Sequence, residues 1–270
     1  RRPCPQRCNV RLLLAEDNAV NQQVAAGLLK RYGFQFDIVA NGREAVNSFN
    51  SNRFDLILMD IQMPEVDGIE ATRLIRAAEA ISGNPPIPII AMTAHAMLSD
   101  KNRCLAAGMT DYMTKPIDPT ILVNIIHQHL PTELSASEQL HTVAEEEHRE
   151  MPEKGEQILA LFDYKDLLKR LMDDRALANE ILAEFIRTVP AEIDTLKQHI
   201  RRCDTVSAGL QAHKIKGAFA NIGSHYLANV CSTMEQAGKV DEIKTLQQEF
   251  ALLVSHYDKL QLLIDEHLTH

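Results

Sequence analysis

Three carboxylates, a hydroxyl and an ammonium recur at equivalent places in the first half of this 270-residue sequence. Glu16 and Asp17 close the run "VRLLLAED", and Asp60 closes "FDLILMD". Thr93 lies at the end of "IPIIAMTA" and Lys115 in "DYMTKP". Carboxylates brought together repel one another. A divalent cation relieves that repulsion, and Mg²⁺ prefers oxygen ligands with some waters retained. Lys115 and Thr93 are suited to holding a phosphoryl oxygen. One carboxylate could then attack phosphorus and form an acyl phosphate. Asp60, followed by "IQMPEVDG", is the best placed to do so. Any one of these acids alone could simply cap the helix after its strand; the three acids with Thr93 and Lys115 together point to chemistry.

A second constellation lies in "HKIKGAFANIG", residues 213–223. A glycine inside a helix costs about 1 kcal/mol relative to alanine, yet Gly217 sits four residues after His213. At 100° per residue Ala208, Ile215, Phe219 and Ile222 fall on the side away from His213. His213 is therefore expected on the wet face, with Gly217 one turn on and Lys214 and Lys216 nearby. The glycine would leave room for a phosphorylated ring and a partner surface. A surface histidine beside lysines, with a glycine that permits close helix packing, fits the same stretch.

These groups need a scaffold. Residues 9–131 alternate short apolar runs with amphipathic segments, five βα units in succession. Continuous apolar strands between helices imply a parallel sheet covered on both faces. Ligands of such sheets lie at the carboxyl ends of the strands, where the acids, Thr93 and Lys115 fall. From residue 158 to 270 the pattern is helical throughout, in five segments, which suggests an antiparallel bundle. The fold class expected is an α/β domain with a five-stranded parallel doubly wound sheet, followed by an all-α bundle. Residues 132–157 carry two basic and eight acidic residues and few apolar ones; they are expected to form an acidic linker. Residues 1–8 are expected to be a linker remnant.

"LLLAEDNAVNQQVAAGLL", "DLILMDIQMPEVDGIEAT", "IIAMTA" and "DYMTKPI" resemble the receiver domain of two-component response regulators over about residues 10–130. The resemblance implies Asp60 as phosphoacceptor. It implies Asp17, Asp60 and the Gln62 carbonyl as Mg²⁺ ligands, with Glu16 in support. Thr93 and Lys115 would bind the phosphoryl group, and Tyr112 would be the switch partner of Thr93. A cis bond before Pro116 would aim Lys115 inward. "AHKIKGAFANIG", with "MEQAGK" after it, resembles histidine-containing phosphotransfer (HPt) domains and implies His213 as acceptor, with Lys214, Lys216 and Gly217 at a docking face. Lys214 departs from the small polar residue more usual there.

The resemblance implies a phosphorelay. Asp60 would accept from an upstream histidine kinase core, and His213 would serve the receiver of a downstream response regulator. The spelling is closest to hybrid sensor histidine kinases; a freestanding receiver–HPt relay protein and a scaffold without phosphotransfer are the alternatives. An aspartate-nucleophile phosphohydrolase needs an acid two residues after its nucleophile, and Gln62 stands there. The chain has no glycine-rich nucleotide loop, so it is not expected to start the relay. A net charge of −9 disfavours nucleic acid as a partner. No run of about 18 apolar residues offers membrane contact, and five scattered cysteines fit a reducing compartment. A cytoplasmic location, with the parent protein anchored in the inner membrane, is the expectation.

Overall fold

The structure is a computed structural model and describes residues 10–93, 98–130 and 161–269. The expected linkers at 1–8 and 132–157 lie outside the described residues. The first domain alternates strands β1 (Arg11–Ala15), β2 (Gln35–Val39), β3 (Leu56–Asp60), β4 (Ile89–Thr93) and β5 (Asp111–Thr114) with helices α1 (Ala19–Arg31), α2 (Gly42–Ser51), α3 (Gly68–Ser82), α4 (Leu98–Ala106) and α5 (Pro119–His129). All pairings are parallel, in the order β2-β1-β3-β4-β5. β3 and β4 are buried at every residue, as strands covered on both faces must be. The order reverses between β1 and β3, so the ends of these two strands flank the crevice where such sheets bind ligands.

Helix starts are fixed by side chains that satisfy the first free N–H groups. Asn18 accepts from Val20 and Asn21 at the start of α1. Asp67 accepts from Glu70 at α3, and Asp118 from Thr120 and Ile121 at α5. Asn18 thus performs two tasks: it begins α1 immediately after the acids, and its amide remains free to reach outward.

The second domain is helical: α6 (Tyr164–Arg170), α7 (Arg175–Arg201), α8 (Thr205–Asn221), α9 (His225–Lys239) and α10 (Ile243–Thr269). Ala208, Ile215, Phe219 and Ile222 are fully buried, as the helical spacing requires. Phe185, Phe219 and Tyr257 form an aromatic cluster between α7, α8 and α10. α8 and α9 cross at Gly209 and Gly238, where a Cβ on Gly209 would stand 3.1 Å from the Gly238 Cα. That contact draws α9 close against the histidine-bearing helix.

The domains are not separate beads. The apolar face of α1 and α5, with the β1 and β3 side chains beneath it, is continuous with the core of the bundle, and Leu177, Met172 and Phe34 pack against this shared cluster. A second, smaller cluster under α2, α3 and α4 belongs to the α/β domain alone. Among the described residues, no helix is long and apolar enough to cross a membrane.

Candidate functional site

Glu16 and Asp17 follow β1 directly, and Asp60 is the last residue of β3. One oxygen from each lies within 4.8 Å of the others. Lys115 enters from the loop after β5, where the Lys115–Pro116 bond is cis. Its Nζ donates to Asp60 Oδ2 at 2.6 Å and to Glu16 Oε2 at 2.5 Å. α3 begins hard against this strand end: a Cβ on Gly68 would stand 2.0 Å from the Asp60 carbonyl oxygen. Glycine there is what lets the helix seat on the Asp60 backbone.

The cluster is crowded with negative charge. Burial, then Glu16, push the Asp17 carboxyl up to about 6. Burial outweighs the neighbouring ammonium at Asp60 and, with Glu16, takes it up to about 8. Burial works against charge on Lys115, but Asp60 and Glu16 hold it protonated, well above the usual lysine value. Three carboxylates against one ammonium therefore keep a proton near neutrality, and it belongs to the cluster rather than to one oxygen. This is the donor set of a hard divalent cation, which would take that proton's place. Gln62 donates its N–H to Asp60 Oδ1 at 3.3 Å, and its side-chain Oε1 is buried without a hydrogen-bond partner.

His213 stands opposite, on α8. Its Nδ1 meets Glu235 Oε2 at 3.1 Å. The same oxygen accepts from Lys216 Nζ at 2.5 Å, and Oε1 accepts from Lys239 Nζ at 2.7 Å. Burial works to raise the Glu235 carboxyl, but the bonds from His213 and Lys216 overcome it and hold the group far below the usual carboxylate range. An ionised carboxylate only accepts, so Nδ1 carries the proton and Nε2 keeps its lone pair. Burial also lowers the His213 pKa below the ordinary value. The ring is therefore a neutral nucleophile of fixed tautomer.

Sequence periodicity places His213 on a wet face; its side chain is only 11% exposed. Glu235 covers one edge and the α/β domain the other. Asp60, Lys115, Glu16 and Asp17 line one cavity of about 310 Å³ together with His213, Lys214, Lys216 and Gly217. Lys214 Nζ lies 3.0 Å from Glu192 and 4.0 Å from Asp17. Thr93 ends β4 and is buried, but it does not line that cavity; nor do Gln62 or Tyr112. The Tyr112 ring lies under Lys101, 4.8 Å from Nζ.

Sequence reasoning missed Glu235 and the asparagines that stitch the site together. Asn221 Nδ2 donates to Asn21 Oδ1 at 2.7 Å, and Asn21 Nδ2 donates to Glu16 Oε1 at 2.7 Å. Asn18 Nδ2 donates to the Lys214 carbonyl at 2.9 Å. A Cβ on Gly217 would stand 2.8 Å from Asn21 Nδ2. The glycine thus faces the other domain. Gly217→Ala is expected to melt close to the parent, because a helix-propensity gain of about 1 kcal/mol offsets the displaced amide. Gly217→Glu should slow any passage of a phosphoryl group to His213 by at least about tenfold, read by gel assay of phosphohistidine.

A crevice of acids and a lysine is thus closed by a helical bundle that presents a histidine. Two family models match in series: the response regulator receiver domain over residues 12–127 and the Hpt domain over residues 180–267. The chain is 32% identical to the sensor histidine kinase GacS of Pseudomonas protegens over 87% of its own length and 25% of that protein's. It is 44% identical to hybrid signal transduction histidine kinase I of Dictyostelium discoideum over 44% of its length and 7% of that protein's. The chain thus spans a quarter or less of these relatives. The solved receiver domain of the sensor histidine kinase PA1611 from Pseudomonas aeruginosa PAO1, described with a magnesium ion in its active-site cleft, is 42% identical. It covers 46% of this chain and 100% of its own, with a TM-score of 0.43.

Proposed function

We propose that Asp60 accepts a phosphoryl group and passes it to His213 within this docked pair of domains. The observation that carries this reading is the single cavity that holds Asp60, Lys115 and His213. The His213 Nε2 lone pair would attack phosphorus, forming N–P as the Asp60 O–P bond breaks. Asp60 leaves as a carboxylate, which Lys115 receives. The Nδ1 proton stays in place, and Glu235 stabilises the positive charge that develops on the ring. Glu16, Asp17, Asp60 and the Gln62 carbonyl would hold Mg²⁺, which when bound would neutralise charge on the phosphoryl oxygens. Thr93 would add a hydroxyl to that group, and Tyr112 would answer its movement.

The donor in this reading is a phosphohistidine of a kinase core, in a hybrid sensor kinase of which this chain is a part. The recipient of the His213 group is the receiver of a response regulator. The test is to incubate the full chain with acetyl phosphate, with and without Mg²⁺, and to separate the products by lability. Base-labile acyl phosphate and acid-labile phosphohistidine are both expected, and a chelator should suppress both. Label on neither residue would overturn the reading.

The pH profile follows from His213. Burial lowers the His213 pKa from 6.5, so more than half of the rings are neutral at that pH. Starting from acyl phosphate already formed on Asp60, the rate of transfer to His213 should therefore be halved only at a pH below 6.5. A rate that halves at pH 6.5 would mark an unshielded ring.

A further inference from the structure

The domains meet at two separate places along α1. Near its start, Asn18 and Asn21 join the acid cavity to α8. Gly27 lies six residues beyond Asn21, about 9 Å along the helix. An interior glycine weakens a helix, and Gly27 is not needed for an unusual backbone angle, since its φ is not positive. Nor does its own domain demand it. The three atoms nearest a Cβ built at Gly27 all belong to Leu177, at 2.6, 2.6 and 3.1 Å. The glycine is a notch, and the side chain that fills it comes from the first turn of α7 in the other domain. One turn further on, Arg31 donates to Asp174 Oδ2 and to the Met172 carbonyl, each at 3.3 Å. Tyr32 Oη approaches Met172 Sδ at 3.4 Å. None of these residues lines the acid cavity.

We propose that the fit of Leu177 into the notch at Gly27, rimmed by Arg31 and Asp174, seats this chain's α/β domain on its phosphotransfer domain and so sets the approach of Asp60 to His213. The proposal rests on the reading that Asp60 passes its group to His213. Every domain of this fold can present acids at its strand ends, but the notch admits Leu177 only where α1 lacks a side chain at this position. A longer residue at position 27 would hold α1 off α7 and open the distance between Asp60 and His213. The domain so seated is this chain's own, whose α1 carries the notch that Leu177 fills. These are positioning residues; they touch no reacting atom.

The experiment uses the full chain loaded with acetyl phosphate and Mg²⁺. It compares the parent, Gly27→Gln, and the double variant Gly27→Leu with Leu177→Ala, in which the knob and the notch change sides. Two quantities are read: the rate at which acyl phosphate becomes phosphohistidine, and amide hydrogen exchange over residues 172–178, across the interface from the first substitution. Gly27→Gln should slow transfer by at least about tenfold and speed exchange over residues 172–178. The double variant should recover most of both. Parental transfer in Gly27→Gln, unchanged exchange over 172–178, or a double variant no better than Gly27→Gln would each overturn the proposal. A parent that forms acyl phosphate but never phosphohistidine would instead overturn the transfer reading on which the proposal stands.

Discussion

Asp60→Asn is expected to leave the protein unable to take up a phosphoryl group at either residue. The loss should be at least about a thousandfold, on the order of 4 kcal/mol in barrier. Three carboxylates share the crevice, and geometry selects among them. Glu16 is tied on Oε1 to Asn18 and Asn21 and on Oε2 to Lys115. Asp17 lies 4.0 Å from Lys214 Nζ. Asp60 stands at the end of the central strand, with Lys115 on one oxygen and the Gln62 N–H on the other. An amide is too poor a nucleophile to replace it. The same substitution should raise the melting temperature in metal-free buffer at pH 8. The folded Asp60 pKa, about 8, lies above its ordinary 3.8, so the folded state holds the proton longer. Stability from this group is then present at low pH and lost as pH rises from about 4 to about 8. The gain in Asp60→Asn should shrink toward pH 4. Intact-mass spectrometry checks the first result and calorimetry across pH the second. Undiminished phosphohistidine in Asp60→Asn would mean that His213 is loaded directly.

Glu235→Ala is expected to be the most damaging change in the helical domain. Glu235 is buried and is the shared acceptor for His213, Lys216 and Lys239. Removing one partner of a buried ion pair leaves a charge uncompensated and costs about 3–5 kcal/mol. The ring would also lose the group that fixes its tautomer and steadies its developing charge. Transfer to His213 should fall by about a hundredfold, while loading of Asp60 persists. Glu235→Gln separates the two effects. Its amide oxygen still accepts from Nδ1, so transfer should fall less, while Lys216 remains without its anion and the melting temperature still drops. The depressed Glu235 pKa implies stability that is present above the ordinary 4.5 and lost as pH falls below it. Acid melting of Glu235→Gln should accordingly be shallower than that of the parent. Equal transfer in Glu235→Ala and the parent would remove Glu235 from the site.

What could be read from the sequence follows the reach of local rules. Strand ends and parallel-sheet geometry are periodic properties, and they bring Glu16, Asp17, Asp60 and Lys115 to one crevice. The five helices after residue 160 also follow from spacing. Glu235 does not, because it meets His213 across two helices joined at Gly209 and Gly238, and a single helical period carries no information about its neighbour. Lys216 reads as an open ammonium for the same reason, whereas its Nζ is bound to Glu235. The notch at Gly27 was silent in the sequence: a glycine amid "VAAGLLKR" looks like a weak spot until Leu177 arrives from 150 residues away. Thr93 satisfies the strand-end rule, yet the same rule does not fix the direction of its side chain.

The cover that the α/β domain lays over His213 makes the histidine a berth for one vessel at a time. Its nucleophilic edge opens into the cavity that Glu16, Asp60 and Lys115 already enclose, so a second receiver would need ground that the first still occupies. If His213 carries the group as proposed, loading and unloading would alternate, and throughput would be set by how long the resident domain stays moored. In kinetic terms that would be a ping-pong shuttle with no three-body complex. Tighter mooring would speed the first leg and delay the second.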